Sequence, residues 1–315
     1  MSRVVVTDHP FKDTIMEQEV AASHGAEFLE VHAVSEDETI SAVQGANVVL
    51  VDYAPITRPV LETLAPGAAV IRYGVGYDNI DVAAAKELGI TAANVRGYGT
   101  ATVADHAAAL ILATTRRLYQ QTEALKAGSY PAPWAFGNIK EVGDHSVGLV
   151  GVGKIGLALA KRVQAFGCQV LAYDPYANVD EVAAEGIKLT TLEEVFSSDV
   201  ISLHLPLTKD TEHLIRTETI AQMKPEAVIV NTARGGLVNT VDLAQALREG
   251  RLAAAGLDVF ENEPLPADSE LFSLDNVILT PHMAFYSEGS IYRLQRMAAD
   301  DAARALEGKP LLGAL

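Results

Sequence analysis

A single cysteine among 315 residues is the clearest scarcity of this sequence. Cys168 has no second cysteine to pair with, so the chain forms no internal disulfide. A lone thiol is ordinary in a reducing compartment, whereas small secreted domains commonly depend on disulfides. The first residues lead at once into Arg3-Val4-Val5-Val6, which is typical of a strand and lacks the charged lead and cleavage site of a secretory leader. We therefore predict a cytoplasmic protein.

Long apolar runs and basic residues are scarce as well. The best apolar run, residues 107–113, is far shorter than the ~20 residues that a membrane-spanning helix needs. Forty-one acidic residues against 24 basic ones give a formal net charge of -17, which argues against binding to nucleic-acid phosphates or anionic lipid. The predicted partner is a small molecule, neither nucleic acid nor membrane. An anionic substrate then needs a few local positive groups.

What the sequence does contain is a regular alternation of short β-branched runs with helical segments. This pattern is typical of parallel sheets covered by helices. A first series predicts strands at residues 4–7, 27–31, 47–52, 69–72 and 91–94, with helical stretches such as 57–64 and 82–88. A second series predicts strands at residues 147–150, 169–173, 200–204, 227–231, 254–258 and 277–279. The predicted fold class is α/β, with two doubly wound parallel-sheet domains.

Two further helical segments join these series. An alanine-rich stretch, residues 100–127, predicts one long helix that ends at Gly128 and leads into the second series. A final helix over residues 287–306 has an apolar face that we expect to pack back on the first domain. We therefore predict a discontinuous substrate domain, residues 1–99 plus 287–315, into which a dinucleotide-binding domain, residues 100–286, is inserted.

The sequence GVGKIG at residues 151–156 stands directly after a predicted strand and before a predicted helix. Gly151 suits a tight turn, Gly153 leaves room for the backbone to approach a pyrophosphate, and Gly156 lets helix and strand pack closely. The N-terminus of the helix presents free N–H groups to the phosphates. The context predicts a Rossmann dinucleotide site, with a simple glycine-rich turn as the alternative.

Asp174 ends the next predicted strand. A carboxylate there accepts hydrogen bonds from the ribose 2'- and 3'-hydroxyls and repels the additional phosphate of NADP. Pro175 and Tyr176 follow, so no arginine stands beside Asp174 to hold that phosphate. We therefore predict NAD as the cofactor, and the alternative is that Asp174 only caps a turn. Histidines and carboxylates do not recur at ligand spacing, so no metal site is predicted.

Three motifs in the last hundred residues complete a known pattern: NTARGG at 231–236, GLDVFENEP at 256–264 and TPHMA at 280–284. Together with GVGKIG, Asp174 and the sequence RYGVGYDNIDVAAAKELGI of the first domain, they resemble the D-isomer-specific 2-hydroxyacid dehydrogenase family. The resemblance covers nearly the whole chain. It implies a Rossmann NAD-binding domain inserted in a flavodoxin-like substrate domain, and a cytoplasmic homodimer.

The resemblance implies a catalytic trio of Arg234, Glu263 and His282 in a cleft between the domains. The residue types suit the chemistry, because reduction of a 2-oxo acid needs a proton donor and histidine titrates near neutral pH. Glu263 would favour the protonated imidazole of His282 and fix its ring. Arg234 would hold the substrate carboxylate and polarise the adjacent carbonyl. Each residue alone has a plainer interpretation, as a surface ion pair, a loop charge or a buried polar group.

Further residues are implied by the resemblance. The backbone of Val75 and Gly76 would hold the substrate carboxylate, since N–H groups without a bulky side chain can approach an anion closely. Asp258 would reach the nicotinamide amide. The remaining cofactor contacts would be Lys154, Ile155, Leu205, Pro206, Thr211, Thr232 and Ala233. His106 and His204 are predicted to be structural.

Some positions depart from the common family pattern and leave the substrate open. Many members have Asn-Val-Pro where this chain has Asn94-Val95-Arg96, so Arg96 is either a second anion anchor or a solvated loop residue. The sequence from His282 to Glu288 resembles the C-terminal-binding-protein branch, which leaves an NAD(H)-sensing corepressor-like protein as an alternative. An enzyme that oxidises formate or phosphite is disfavoured by Glu263. We predict reduction of a small 2-oxo acid, such as glyoxylate or hydroxypyruvate, to the D-hydroxy acid.

Overall fold

The computed structural model describes residues 1–315, the whole of the sequence. The strands are β1 (Arg3–Val6), β2 (Glu27–Glu30), β3 (Val48–Val51), β4 (Ala69–Arg72), β5 (Thr91–Asn94), β6 (Ser146–Val150), β7 (Gln169–Tyr173), β8 (Lys188–Leu189), β9 (Val200–Leu203), β10 (Val228–Asn231), β11 (Ala254–Leu257) and β12 (Val277–Leu279). The α-helices are α1 (Ile15–Ser23), α2 (Glu36–Val43), α3 (Arg58–Leu61), α4 (Val82–Glu87), α5 (Thr100–Thr115), α6 (Leu118–Lys126), α7 (Lys154–Ala165), α8 (Val179–Ala184), α9 (Leu192–Phe196), α10 (Thr217–Ile220), α11 (Thr240–Arg248) and α12 (Glu288–Leu306). Short 3-10 turns occupy Pro133–Phe136, Val142–Asp144, Gly235–Leu237 and Glu270–Ser273.

The chain divides into two compact units, Met1–Gly99 with Ser287–Leu315 (the first unit) and Thr100–Tyr286 (the second unit). The first unit holds a five-stranded parallel sheet in the order β2-β1-β3-β4-β5. The strand order reverses between β1 and β3, which is the flavodoxin-like arrangement. Strand β3 is buried along its whole length, as a parallel sheet covered by helices on both faces requires.

Helix α12 belongs to the first unit and packs on α1, β3 and β4. Its buried positions recur at helical spacing, and Ser287 caps its N-terminus by accepting from the Ser290 N–H. A buried polar network fastens it further, because Gln295 donates to Glu17 at 2.9 Å and the Tyr73 hydroxyl donates to the same carboxylate at 2.8 Å. The expected packing of the final helix on the first domain is therefore present.

The second unit holds a seven-stranded parallel sheet in the order β12-β11-β10-β9-β6-β7-β8. The order reverses between β6 and β9. The six strands from β11 to β8 follow the Rossmann arrangement, and β12 is added beside β11 at the other edge. Helices α5 and α7 pack together and α5 also contacts β10 and β11. The predicted fold class, two doubly wound parallel-sheet domains, is confirmed. None of the helices has the combination of length and apolar character needed to cross a membrane.

The predicted continuous helix over residues 100–127 is wrong in one respect, because the segment forms two helices. Helix α5 ends at Thr115, and Arg117 adopts a left-handed conformation with φ +52° before α6 begins. The hydroxyls of Thr114 and Thr115 donate to the carbonyls of Leu110 and Ile111 four residues earlier, at 2.6 and 2.7 Å. Such bonds compete with the helical backbone ladder and favour a bend. No glycine or proline marks this break in the sequence.

Candidate active site

The glycine loop joins β6 to α7 at the point where the sheet of the second unit reverses direction. Gly151 has φ +92°, and a Cβ atom there would lie 2.7 Å from the carbonyl oxygen of His204. A Cβ atom on Gly156 would lie 2.6 Å from the Gly151 carbonyl oxygen, so helix and loop touch through bare backbone. A Cβ atom on Gly153 would meet nothing within 4 Å. Gly153 therefore leaves open space at the N-terminus of α7.

This geometry fits a dinucleotide pyrophosphate. The first N–H groups of α7, a helix of 12 residues, have no partner within the helix and carry its positive dipole end. Lys154 and Ile155 form the first turn beside them. The open space above Gly153 lets phosphate oxygens approach the backbone, which a side chain would obstruct.

Asp174 lies directly beyond β7 and is half-buried. One carboxylate oxygen accepts from the N–H of Val152 at 3.0 Å, and the other accepts from the N–H of Tyr176 at 2.9 Å. The side chain thus ties the glycine loop to the turn after β7. Each oxygen retains a second lone pair, so the carboxylate can accept further hydrogen bonds from a diol.

The other predicted cofactor residues follow β9, which is the neighbour of β6, and β10, which is the next strand in the sheet. Leu205 and Pro206 come after β9 and His204, and the Thr211 hydroxyl closes that loop by donating to the Pro206 carbonyl at 2.8 Å. Thr232 and Ala233 follow β10, and the Ala233 N–H donates to the Asn231 side chain at 3.0 Å. The buried Thr232 hydroxyl has no partner in the protein. A buried hydroxyl without a partner is costly unless a ligand satisfies it, which also fits a bound cofactor.

His204 stands against the glycine loop at the end of β9. Its Nε2 lies 2.9 Å from the Ser202 hydroxyl oxygen. Burial lowers the pKa of His204 to about 4, so the ring is neutral at physiological pH. A neutral, hydrogen-bonded ring in this place is structural support for the loop.

Arg234 follows β10 and its carbonyl accepts from the Asn231 side-chain amide at 2.8 Å. The side chain is half-buried, and its Nη1 donates to the Ala233 carbonyl at 2.7 Å. Gly235 comes next, and a Cβ atom there would lie 1.9 Å from the Phe260 carbonyl oxygen. The Arg234 loop and the loop that carries Glu263 are therefore in direct backbone contact, which only glycine at position 235 permits.

Glu263 and His282 form a hydrogen-bonded pair. Glu263 Oε2 lies 2.6 Å from His282 Nδ1, and its Oε1 accepts from the Phe260 N–H at 2.9 Å. Burial favours the neutral acid, but the bonds from His282 and Phe260 and the charges of His282 and Arg234 outweigh it and lower the pKa of Glu263. Glu263 is thus ionised at neutral pH. About a third of each side chain is exposed, 32% for both, so His282 Nε2 is the ring nitrogen left for an incoming group.

The backbone at His282 is unusual and firmly held. His282 has φ +52°, a conformation that non-glycine residues seldom adopt and that functional sites often contain. Its N–H donates to the Asp258 carbonyl at 2.8 Å. The Asp258 carboxylate accepts from the N–H groups of Met283 and Ala284 at 2.8 and 2.9 Å. The fully buried Asp258 therefore fixes the segment that carries His282.

Asp258 also accepts from the Thr280 hydroxyl at 2.6 Å, and that hydroxyl lies 3.0 Å from His106 Nε2. Both oxygens of Asp258 are thus already used, and the side chain is 0% exposed. The sequence indicated a nicotinamide contact for Asp258 and gave no sign of this anchoring role. A buried carboxylate at the end of a strand, near a threonine-proline-histidine sequence, is the one signal that could have suggested it.

Val75 and Gly76 lie in the first unit, in the loop between β4 and α4. Val75 is 47% exposed, and its carbonyl accepts from the side-chain amide of Asn94. Gly74 has φ +133°, and the guanidinium of Arg72 occupies the space where a Cβ atom would be, with Nη1 1.7 Å from that position. The N–H groups of Val75 and Gly76 enter into no backbone hydrogen bond within the unit.

Comparison with known proteins agrees with this geometry. The family model for the NAD-binding domain of D-isomer specific 2-hydroxyacid dehydrogenases matches residues 108–284, more than half of the chain. The chain is 40% identical over 252 residues to a glyoxylate reductase of Korarchaeum cryptofilum, which covers 78% of this chain and 75% of the relative. It is 37% identical over 280 residues to a hydroxypyruvate reductase of Blautia hydrogenotrophica, with 87% of each covered.

A solved structure leads to the same family. The D-lactate dehydrogenase of Aquifex aeolicus, crystallised with NAD and lactic acid, superposes with a TM-score of 0.87 at 29% identity and covers 98% of this chain and 96% of its own. The resemblance found in the sequence motifs is confirmed by these matches. The chain belongs to the D-isomer-specific 2-hydroxyacid dehydrogenase family and is an NAD-dependent enzyme of that family.

Proposed function

We propose that the enzyme reduces a small 2-oxo acid to the D-2-hydroxy acid, with His282 as the general acid. The observation that carries the proposal is the pair formed by His282 and an ionised Glu263, because it holds a proton donor in one orientation beside Arg234. When bound, NADH supplies the hydride that reaches C2. His282 Nε2 gives its proton to the ketone oxygen, and in the reverse direction the neutral ring takes it back from the hydroxyl.

Each remaining residue has a proposed part in binding. The Arg234 guanidinium takes the substrate carboxylate and polarises the carbonyl beside it. The backbone N–H groups of Val75 and Gly76 take the same carboxylate, which gives the first unit the role of substrate domain and the second unit that of cofactor domain. Glu263 holds the imidazole of His282 in one orientation through its contact with Nδ1. Asp258 acts through its hold on the His282 segment.

For the cofactor we propose that Asp174 accepts from the adenosine ribose and that the glycine loop takes the pyrophosphate. The N-terminal turn of α7 and the open space at Gly153 support this. The other proposed contacts are Gly151, Lys154, Ile155, Gly156, Leu205, Pro206, Thr211, Thr232 and Ala233. The partnerless Thr232 hydroxyl is the contact with the clearest local support.

We propose a homodimer in the cytoplasm. Large exposed side chains line one open groove of the second unit, among them Tyr119 at 44% and Phe272 at 58%. Trp134, which directly precedes the groove residues Ala135 and Phe136, is 82% exposed. Contiguous exposed aromatic residues are common at protein interfaces. Cys168 is buried and free, which agrees with a reducing compartment. Sedimentation of the purified protein tests the dimer, and a single monomer boundary at micromolar concentration would contradict it.

The reaction is tested by mixing the enzyme and NADH with glyoxylate, hydroxypyruvate, pyruvate and 2-oxobutyrate. We expect NADH oxidation with at least one of these acids and, where the product is chiral, the D-enantiomer on a chiral column. Formation of the L-enantiomer would contradict the stereochemical part of the proposal. Absence of turnover with every 2-oxo acid, while NADH still binds, would contradict the reaction itself.

A further inference from the structure

The loop after β5 carries a cation that the proposed catalysis does not use. Arg96 lies two residues beyond the end of β5, in the first unit, and its side chain is exposed. Arg96 places a positive charge at the carboxyl end of a parallel sheet, where ligands bind in folds of this kind.

A single buried side chain connects Arg96 to the backbone proposed to bind substrate. Asn94, which is 2% exposed, donates from its amide nitrogen to the Val75 carbonyl. Its amide oxygen accepts from Arg96 Nε at 2.7 Å. The Val95 N–H donates to the Gly74 carbonyl at 3.0 Å and fastens the two loops a second time. The guanidinium is therefore held one side chain away from Val75 and Gly76.

The protein does not neutralise this guanidinium. Arg96 forms no ion pair with any carboxylate, and its other hydrogen bond is a long one of 3.4 Å to the Ala314 carbonyl. Arg72, at the same end of the sheet, is different. Its Nη2 lies 3.4 Å from Asp52 Oδ1, and its Nη1 donates to the Tyr73 carbonyl at 2.6 Å. Of these two arginines, Arg96 is the one whose charge is available to an external anion.

We infer that Arg96 binds a second anionic group of the substrate, so that the enzyme prefers 2-oxo acids that carry a distal carboxylate or phosphate. The inference rests on the proposed function, in which Val75 and Gly76 take the carboxylate next to the ketone. A guanidinium offers paired N–H groups that match two oxygens of a carboxylate or a phosphate. On a chain with a net charge of -17, such a local cation is needed to overcome repulsion of a doubly charged substrate.

The test compares Arg96→Gln and Arg96→Lys with the unchanged enzyme on two sets of substrates. Glyoxylate and pyruvate carry one negative group, whereas oxaloacetate, 2-oxoglutarate and 3-phosphohydroxypyruvate carry a second one. We expect R96Q to raise KM for the second set by about tenfold to a hundredfold, because one charge-assisted contact is lost. The kcat for both sets and KM for the first set should change by no more than about twofold. R96K is expected to recover part of the loss.

Within the second set, a larger increase in KM for 3-phosphohydroxypyruvate identifies phosphate as the preferred group. A larger increase in KM for the two diacids identifies carboxylate. The matched control is Arg304→Gln, which removes the same charge from α12, where Arg304 Nε donates to the Pro310 carbonyl. The inference is wrong if R96Q and R304Q raise KM for the second set equally, or if R96Q raises KM for both sets equally.

A binding measurement separates this inference from the proposed reaction. Calorimetric titration of the enzyme with NADH present uses D-malate and 3-phosphoglycerate, two 2-hydroxy acids that carry a distal anionic group and that NADH cannot reduce. Binding that is lost in R96Q but kept in R304Q supports the Arg96 site even if no 2-oxo acid is turned over. Equal binding by the unchanged enzyme and R96Q contradicts the site, whatever the turnover shows.

Discussion

The proton donor of the proposed reaction depends on a contact between two side chains, Glu263 and His282. The pKa of Glu263 is lowered, so above its ordinary value near 4.5 the carboxylate is ionised and places a negative charge against the ring of His282. Replacement by glutamine keeps the shape and removes the charge. We expect Glu263→Gln to lower kcat/KM for reduction by about tenfold to a hundredfold, as for other groups that orient a catalytic histidine.

The pH profile shows whether the charge is what matters. In the unchanged enzyme, reduction should decline as pH falls through the lowered pKa of Glu263, because the carboxylate is then protonated and loses its charge. Glu263→Gln should lack this decline on the acid side, because its amide does not titrate. Glu261→Gln is the matched control, since Glu261 stands in the same loop but lies 2.6 Å from His213. A profile that shifts equally in both variants would mean that the loop, rather than the Glu263 charge, is responsible.

At the residue scale, the resemblance implied Arg234, Glu263 and His282 as the trio that we propose, but it said little of how these residues are held. The left-handed backbone of His282 and its dependence on Asp258 come from hydrogen bonds between distant segments, which no local pattern displays. The same holds for Gly235, whose absent side chain makes room for the Phe260 carbonyl.

Two glycines of the β6–α7 element, Gly153 and Gly156, have different physical tasks and predict different mutant phenotypes. Gly153 faces open space, so Gly153→Ala should leave Tm nearly unchanged while weakening NADH binding by about tenfold or more through obstruction of the phosphates. Gly156 packs on the Gly151 carbonyl, so Gly156→Ala should lower Tm as well as NADH affinity.

Fluorescence titration with NADH gives the NADH affinity of both variants, and thermal unfolding gives their Tm. Gly186→Ala is a control for NADH affinity in the same unit, because it changes a glycine of a turn outside the loop. Since Gly186 has φ +71°, this control is expected to lower Tm while leaving NADH affinity unchanged. Normal NADH affinity in Gly153→Ala would contradict the assignment of the pyrophosphate to this loop.

Element positions were predictable where burial and alternation decide them. Strands β4, β5, β7 and β12 have the predicted bounds, because a short β-branched or apolar run between two turns leaves little choice of where the strand begins and ends. Strand β8 was missed because it has only two residues at a sheet edge. The predicted helix over 57–64 is limited to α3, and the break at Arg117 arises from threonine hydroxyls rather than from a glycine or proline.

At the scale of the whole molecule, acid stability should depend on Asp199 at the start of β9. Asp199 is 6% exposed and accepts from the Ser146 N–H at 2.9 Å and from Lys224 and Lys140 at 2.9 and 3.1 Å. Desolvation opposes ionisation, but these bonds lower the pKa of Asp199 well below its ordinary 3.8. The stabilisation by Asp199 is therefore fully present at pH values above its pKa in the unfolded chain, and it is lost as pH falls below about 4.

Urea unfolding at several pH values measures this contribution. We expect Asp199→Asn to reduce the free energy of unfolding by about 2 kcal/mol at pH 7, and the difference from the unchanged protein to shrink below pH 4. Asp210→Asn, in an exposed loop, serves as the control. A difference that stays constant between pH 7 and pH 3 would show that the ion pairs of Asp199 are not its source.

The arrangement of the whole chain followed from its pattern, whereas the substrate did not. Alternating strands and helices indicate doubly wound sheets, and the glycine motif indicates where a dinucleotide binds. The choice of acid would depend on a few contacts, such as the one inferred for Arg96, and a single substitution can alter such a contact.

The measurement that tests the central claim most directly follows NADH oxidation after rapid mixing with a 2-oxo acid that the unchanged enzyme reduces. It compares the unchanged enzyme with His282→Asn, and NADH affinity is determined for both. The account predicts equal NADH affinity and a rate of the first turnover that is about a hundredfold or more lower in His282→Asn. A first turnover at the same rate in both proteins would contradict the assignment of His282 as the proton donor.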